Sequence, residues 1–486
     1  MLKSFLEKLK SENYLLYISV ILLLLFRLLL TANIPLLDKT EARYAEISRI
    51  MYETKEWVVV QIDYGVPFWA KPPLSTWLSA ASFVVFGVNE FAARFPSYLL
   101  SVLILIIAGK FAKKKGLSFY LPGFILLSTP EFLIHTGVVS TDSALSFSIT
   151  LMMLSFWQMM NNPLKTVWNY LFFVGLGLGL LAKGPLIMVL SFPPLFVWCC
   201  LDINRFKELF RRLPIILGIV ITIAIALPWY DLVEQKSPGF SEYFFVGEHY
   251  KRFMVPGWKG DLYGNPKSVM PGMVWVFMLA FSFPWFQIVL YKLWKNRTSI
   301  VKDSWVSFLV LWMFWLPVFF TMSKNILHTY TLPVTIPMMF LMVHYWEDFK
   351  SKKTLLRAGL FFPVAVFIAY VSLQFYPKTK YQTNSDKYML ENLDIKGKNK
   401  DIPLYYYVKV DNNSQLNKEK NYSGEFYSDG KAQIVKNFNE LDSVFKIHPR
   451  IILATPKKEE KNIPKKYLDQ MLLKESNYKT AIFMSK

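Results

Sequence analysis

A chain of 486 residues with 53% apolar and 17% aromatic residues, and a mean hydropathy of +0.29, lies outside the range of ordinary soluble domains. A net charge of +20 would suit nucleic acid, but in so apolar a chain the basic residues belong at helix ends facing anionic membrane lipids, so no nucleic-acid partner is expected. Two adjacent cysteines, Cys199 and Cys200, sit inside an apolar run without zinc-type spacing, which sets aside a disulfide framework and a structural zinc site.

The first apolar run, Tyr14–Leu30, follows Lys3, Lys8 and Lys10 as a secretory leader would. It lacks a small-residue cleavage site and runs on through Phe26 and Arg27, so it reads as a retained anchor. Near-continuous apolar runs recur at Leu99–Ala108, Leu145–Met160, Leu171–Leu181, Ile215–Leu227, Trp275–Leu290, Phe308–Phe320 and Leu360–Leu373. Lipid admits only backbones that satisfy their own hydrogen bonds, so these runs predict helices. The fold class is an all-α polytopic membrane bundle with about 11–13 transmembrane helices, occupying residues 1–375. After Tyr376 the hydropathy collapses. Strand-like runs at Leu404–Val410 and Arg450–Ala454 and a helix-like stretch around Tyr467–Leu473 predict a small soluble α/β domain over 376–486.

Charge orients the chain. Basic connectors occur at Lys3–Lys10, Lys110–Lys115, Arg205–Arg212, Lys292–Lys302 and Lys350–Arg357, with a minor one at Lys165. A cytoplasmic N-terminus and about eleven crossings put all of them on the cytoplasmic side, and no other parity does. Leu74–Phe86 is apolar but amphipathic and suits the interface. The expected location is the plasma (inner) membrane, with the C-terminal domain extracytoplasmic. The same parity exposes Thr31–Pro73, Thr136–Ser143, Ala182–Pro185, Asp231–Gly272 and Ser323–Thr331 outside, where acids, bases, His, Trp, Gly and Pro are mixed. Asp231–Gly272 is long and aromatic and is expected to fold over the membrane surface.

These outer segments hold the candidate chemistry. Asp38 and Glu41 stand three apart after a membrane helix and, if helical, share a face. Such a pair suits a general base or a metal, and equally a solvated juxtamembrane helix. Lys71 is fixed between an apolar lead-in and Pro72-Pro73. Asp142 follows Ser140-Thr141 at the start of an apolar run, where it serves either as a helix cap or as a functional acid. Lys183 precedes Gly184-Pro185, placed to snorkel or to meet a phosphate. Glu248, His249, Lys251 and Arg252 cluster in the longest loop, and Arg adds bidentate geometry for phosphate. Lys324 and His328 share a short outer loop. His135, His344 and His448 have no partner pattern and receive no role.

The runs Asp38 through Arg43-Tyr44-Ala45-Glu46, Lys71-Pro72-Pro73, Gly87 through Ser97, Ser140-Thr141-Asp142, Leu181 through Pro185, Leu227-Pro228-Trp229-Tyr230, Pro238 through His249 and Ser323 through Pro333 resemble, in that order, the polyprenyl-phosphate-sugar-dependent glycosyltransferases of the GT-C fold. Within them the chain is most similar to the lipid A aminoarabinose transferases, and more distantly to the protein O-mannosyltransferases. The resemblance implies a polyprenyl-phosphate-sugar donor and inverting transfer to a lipid, glycan or protein acceptor. It implies Glu41, Asp38 and Asp142 as catalytic acids, and Arg43, Tyr44, Lys71, Lys183, Arg252, Lys324 and His328 as substrate contacts. A divalent metal ion at Glu248 and His249 is the cofactor to test. Two departures stand out: Thr40 occupies a position where relatives carry Asp, and Ala70 one where metal-binding relatives carry Glu. A polytopic transporter or flippase is the alternative, but the chain shows no internal repeat and its charges fall in loops, not at midplane. No Gly-rich phosphate loop occurs, which argues against a nucleotide-sugar donor.

Overall fold

The computed structural model describes residues 12–162, 164, 166–255, 258, 260–264, 269–323, 325–375, 383–408 and 420–486. Helices dominate as far as Gln374, and a small mixed sheet follows. The chain is a multi-pass membrane protein. Among the described residues, five helices are long and apolar enough to cross a bilayer: Glu12–Asn33, Glu90–Lys114, Thr141–Asn161, Ile215–Lys236 and Lys352–Gln374. Met273–Phe281 and Trp285–Lys295, bent by 105° at their junction, count as a sixth if the bent pair is one span and not a re-entrant loop. The expected eleven are reached only with shorter pieces. These are Val167–Lys183, Leu186–Cys200 and Ser304–Phe320, the broken path from Leu121 to His135, and the path from His328 to His344.

Thr141–Asn161 forms the centre of the bundle, with 89% of its apolar window buried by protein, whereas Ile215–Lys236 and Lys352–Gln374 bury only 17%. The exposed Ile216, Val220 and Phe361 therefore face lipid, not a protein core. Close approach in the interior comes from small residues: Gly175 and Gly179 of Val167–Lys183 lie against Met152 and Ile187, where a side chain would collide.

The two ends of the bundle differ. At one end the described basic connectors meet one another, while Lys3–Lys10 and Lys165 lie outside the described residues. Arg212 donates to the carbonyls of Met160 and Asn162, Arg205 to Ser304, and Lys292 to Asp348, while Lys115 lies over the Trp305 ring. At the other end lie the mixed loops. Leu74–Phe86 starts after Lys71 and ends before Glu90, both at the loop end, so this helix leaves and returns without changing sides.

The C-terminal domain is a five-stranded sheet of β3 (Leu404–Tyr407), β4 (Ala432–Val435), β5 (Ile452–Pro456), β6 (Met471–Ser476) and β7 (Thr480–Ser485), in the order β4-β3-β5-β7-β6. A small antiparallel pair in the first loop, β1 (Gln61–Asp63) and β2 (Val66–Pro67), precedes it in the chain. β3 pairs in parallel with β4 and β5, while β7 runs antiparallel to β5 and β6. Buried Tyr405, Leu453, Phe483 and Leu441 fill its own core. The stretch around Tyr467–Leu473, expected as helix, holds only the single turn Lys465–Leu468 before β6 begins at Met471, because Leu472 and Leu473 pair with β7. The domain docks on the first loop: Lys420 Nζ lies 2.7 Å from Asp63, Lys387 Nζ 2.5 Å from Glu90, and the Tyr427 hydroxyl accepts from the Leu36 N–H at 2.7 Å.

Candidate functional site

Two adjoining cavities open among the loop-end residues. One, of about 420 Å³, is lined by polar groups from the first loop, the Ser140 turn, the long loop and the 328–330 segment. The other, of about 330 Å³, is walled by Leu186, Val189, Phe244, Met254, Phe319 and Phe320. They share Lys71, Lys183, Glu248, Arg252 and Tyr330, so the cations stand where a polar chamber meets an apolar one.

Each shared side chain is placed by local structure. Ser140 caps Thr141–Asn161 by accepting from the Asp142 N–H at 3.0 Å. With that duty taken, the Asp142 carboxylate is left for Lys183, whose Nζ lies 2.5 Å from Oδ1, and for the Ser140 hydroxyl, 2.9 Å from Oδ2. Lys183 is buried and lies over the Tyr330 ring at 5.0 Å, so it does not snorkel. Gly184, at φ +65°, turns the chain immediately after it, with the Phe244 ring packed where a Cβ would project.

The long loop contributes a π-helical stretch, Glu242–Lys251, whose wide turns present Glu248 inward. Arg252 Nη1 bonds both Glu248 oxygens at 3.0 and 2.7 Å, and Lys71 Nζ lies 3.1 Å from Oε2. Burial opposes the Glu248 charge, yet Lys71 and Arg252 outweigh it and hold the carboxyl down at about 2. Arg252 also faces Asp261 at 3.5 Å. Arg43 lines the polar cavity between the Tyr44 and Phe68 rings and donates to the Tyr263 carbonyl at 2.6 Å, with no partner at Nε among the described residues. Tyr44 lines the same wall.

The expected acids separate. Glu41 lines the cavity but is gripped by Arg94, with Nε 2.7 Å from Oε1 and Nη2 2.8 Å from Oε2. Asp38 does not reach the cavity. The helix starts at Thr40, so the two acids do not share a helical face, and Asp38 instead accepts from the Ser423 N–H at 3.0 Å and from the Ser423 hydroxyl. His328 lines the polar cavity, with Nδ1 2.9 Å from Glu131 Oε2. Lys324 lies outside the described residues.

Glu248 and His249 do not suit a metal. The carboxylate is committed to two cations, and His249 turns Nδ1 to the Phe244 carbonyl at 2.7 Å and Nε2 toward the Lys183 carbonyl at 3.3 Å. Burial pushes this imidazole below its usual range. Ala70 leaves no carboxylate beside Lys71, and among the described residues no three His, Cys, Asp or Glu side chains are grouped to hold an ion.

Sequence reading missed Arg94, Asp261, Glu131, His135 and Tyr330. Arg94 and Tyr330 lay within motifs already singled out. Glu131 and His135 stand four apart on one short helix, but nothing in that spacing pointed to the cavity or to His328.

Comparison with known proteins agrees with this fold. A family model described as dolichyl-phosphate-mannose-protein mannosyltransferase matches residues 10–244. An undecaprenyl phosphate-alpha-4-amino-4-deoxy-L-arabinose arabinosyl transferase of Pseudomonas savastanoi pv. phaseolicola is 30% identical over 315 residues, which cover 62% of this chain and 55% of that protein. The transferase of the same name from Aeromonas salmonicida is 32% identical over 340 residues, covering 66% and 57%. The chain thus spans little more than half the length of these curated relatives. The crystal structure of ArnT from Cupriavidus metallidurans bound to undecaprenyl phosphate matches with a TM-score of 0.71 at 18% identity, over 98% of both chains, and its apo state with 0.70. The chain therefore has the GT-C fold, and it resembles the polyprenyl-phosphate-sugar glycosyltransferases of the ArnT group.

Proposed function

We propose that this GT-C chain transfers a sugar from a polyprenyl-phosphate carrier to an acceptor at the extracytoplasmic face of the plasma membrane, with inversion at the anomeric carbon. The observation that carries the reading is the row of cations at the junction of the two cavities. A polyprenyl tail suits the chamber walled by Phe244, Phe319 and Phe320, and the sugar suits the polar one. The phosphate between them then meets Lys71, Lys183 and Arg252. Expulsion of a phosphate leaving group builds negative charge, which preorganised cations stabilise more in the transition state than in the ground state.

The ion pairs fit this role. Glu248 and Asp142 hold the cations in place before the donor arrives, so little reorganisation is needed at the moment of reaction. With the N-terminus cytoplasmic, the basic end of the bundle faces the cytoplasm and the cavities and C-terminal domain face outward. The acceptor is a lipid, glycan or protein carrying a nucleophilic oxygen.

The test is transfer in proteoliposomes from radiolabelled undecaprenyl-phosphate sugars, with extracted membrane lipids and glycans as acceptors. It is joined to lipid profiling of a deletion strain. Label leaving the carrier for a new product, and accumulated undecaprenyl-phosphate sugar in the deletion strain, are expected. Unchanged carrier lipids and glycans in the deletion strain would overturn the reading.

A further inference from the structure

One corner of the polar cavity is lined by two imidazoles, His135 and His328, with a carboxylate behind them, and the phosphate site uses none of the three. Glu131, on the short helix Pro130–His135, is fully buried. Its Oε2 lies 2.9 Å from His328 Nδ1 and its Oε1 3.1 Å from His135 Nδ1. Among the described residues no Lys or Arg pairs with it, so these rings are what compensate the buried carboxylate. The His135 Nδ1–H also donates to the Glu131 carbonyl at 2.9 Å, which commits that ring to its own helix turn.

His328 is differently placed. Its ring stacks on Phe281 at 4.5 Å and 11° and meets Phe277 edge-on, so its plane is fixed. An N–H donated from Nδ1 to a carboxylate sets the tautomer and leaves the Nε2 lone pair free. No partner for Nε2 is found among the described residues, and the ring lines the cavity with its side chain 36% exposed. The other charged groups around that space are Glu41, Arg43, Lys71, Asp142, Lys183, Glu248, Arg252 and Asp261.

The carboxylates there are occupied. Both Glu41 oxygens face Arg94, Asp142 is divided between Lys183 and Ser140, Glu248 lies on Lys71 and Arg252, and Asp261 accepts from the Tyr263 and Gly264 N–H groups and faces Arg252. Lone pairs directed at cations make poor proton acceptors. A neutral imidazole with one nitrogen anchored and the other open to substrate is a better one.

We propose that His328 is the general base of transfer and Glu131 its positioning residue. His328 Nε2 takes the proton of an acceptor hydroxyl as that oxygen bonds the anomeric carbon. The bond from this carbon to the carrier phosphate oxygen breaks, its electron pair leaves on the phosphate, and Glu131 stabilises the imidazolium. This rests on the transferase reading above and narrows the acceptor to a hydroxyl-bearing molecule.

The experiment uses the full chain in proteoliposomes, with radiolabelled undecaprenyl-phosphate sugar and extracted membrane acceptors, and with binding of undecaprenyl phosphate measured separately. His328→Ala is expected to lower kcat by about 100-fold or more, with donor KM and undecaprenyl phosphate binding unchanged, and added imidazole is expected to restore part of the rate. His328→Gln, which can still donate to Glu131, is expected to keep the thermal transition of the parent and be equally slow. Glu131→Gln is expected to fall between the parent and the His328 variants, about 10-fold below the parent. Turnover of His328→Gln near the parent's, or a folded His328→Ala that imidazole does not rescue, would overturn the proposal. A parent protein that consumes no donor would count against the transferase reading itself, and this proposal would fall with it.

Discussion

Arg94 and Glu41 form a two-pronged ion pair, and Arg94 uses its remaining N–H groups on the carbonyls of Thr31, Ile34 and Pro35. One guanidinium therefore joins the end of the first membrane helix, the first loop and the helix Glu90–Lys114. Removing one partner of a buried pair leaves the other charge uncompensated, at about 3–5 kcal/mol. Arg94→Ala is expected to lower the thermal transition in detergent sharply. Glu41→Gln is expected to lower it less, since an amide oxygen still accepts from Arg94, and to cut turnover. An unchanged transition in Arg94→Ala would mean that the first loop is held by other contacts.

Lys71 and Arg252 already share an anion, Glu248, before any donor binds. Lys71→Ala removes a charge-assisted contact of about 1.5–3 kcal/mol and is expected to slow transfer by more than it weakens undecaprenyl phosphate binding. Lys71→Arg is expected to recover part of the rate, because guanidinium and ammonium differ in shape. Glu248→Gln frees both cations, so it is expected to bind undecaprenyl phosphate about 10-fold more tightly and to release it more slowly. Weaker phosphate binding in Glu248→Gln would show that losing its hold on Lys71 and Arg252 outweighs the competition it removes.

Much of this was legible in the sequence. Apolar runs located the helices, the basic connectors converge on one end of the bundle, and Lys71, Asp142, Lys183, Glu248 and Arg252 converge on one space. What could not be read was direction. Asp38 belongs to Ser423, 385 residues away, and Glu131 to His328, 197 residues away, and no local period encodes such pairings. Helical spacing placed Asp38 beside Glu41 only on the premise that the helix had begun, whereas it begins at Thr40. The tail misled for a related reason: Leu472 and Leu473 look helical beside Tyr467, but pairing with β7 draws them into a strand.

Orientation is open to a direct check. Lys398, in the C-terminal domain, and Lys114, in a basic connector, are both exposed on the protein. In a chain with Cys199 and Cys200 replaced by Ser, Lys398→Cys is expected to react with an impermeant maleimide on cells whose outer face is accessible. Lys114→Cys is expected to react only after the membrane is opened. The reverse pattern would invert the topology and put the cavities on the cytoplasmic side.

The docked C-terminal domain is expected to loosen as pH rises. Asp38 is enclosed beneath it, and burial first, then the facing Asp386 carboxylate, pushes its carboxyl up to about 7 despite the Ser423 bonds. Burial likewise raises Asp386 to about 6, against hydrogen bonds from Tyr406 and Asn477. In an undocked state both acids return toward the usual carboxylate value near 3.8. The docked form therefore holds protons that the undocked form releases between about pH 4 and pH 7. Stability then falls as pH rises through that window, by up to about tenfold in the docking equilibrium per pH unit for each proton involved. Below the window these two acids are protonated in both states and above it in neither, so their own contribution levels off, while Glu425, raised to about 8 by burial, extends the fall. Hydrogen exchange at Tyr422–Tyr427, the helix seated on Asp38, measures this directly. Protection is expected to fall from about pH 5 to pH 8 in the parent, after correction for intrinsic exchange. In Asp38→Asn, whose side chain carries no charge but can still accept from Ser423, the fall is expected to shrink to what Asp386 and the buried Glu425, raised to about 8, contribute. Protection that is flat with pH in the parent, or equally steep in Asp38→Asn, would mean that this carboxylate stays ionised under the domain.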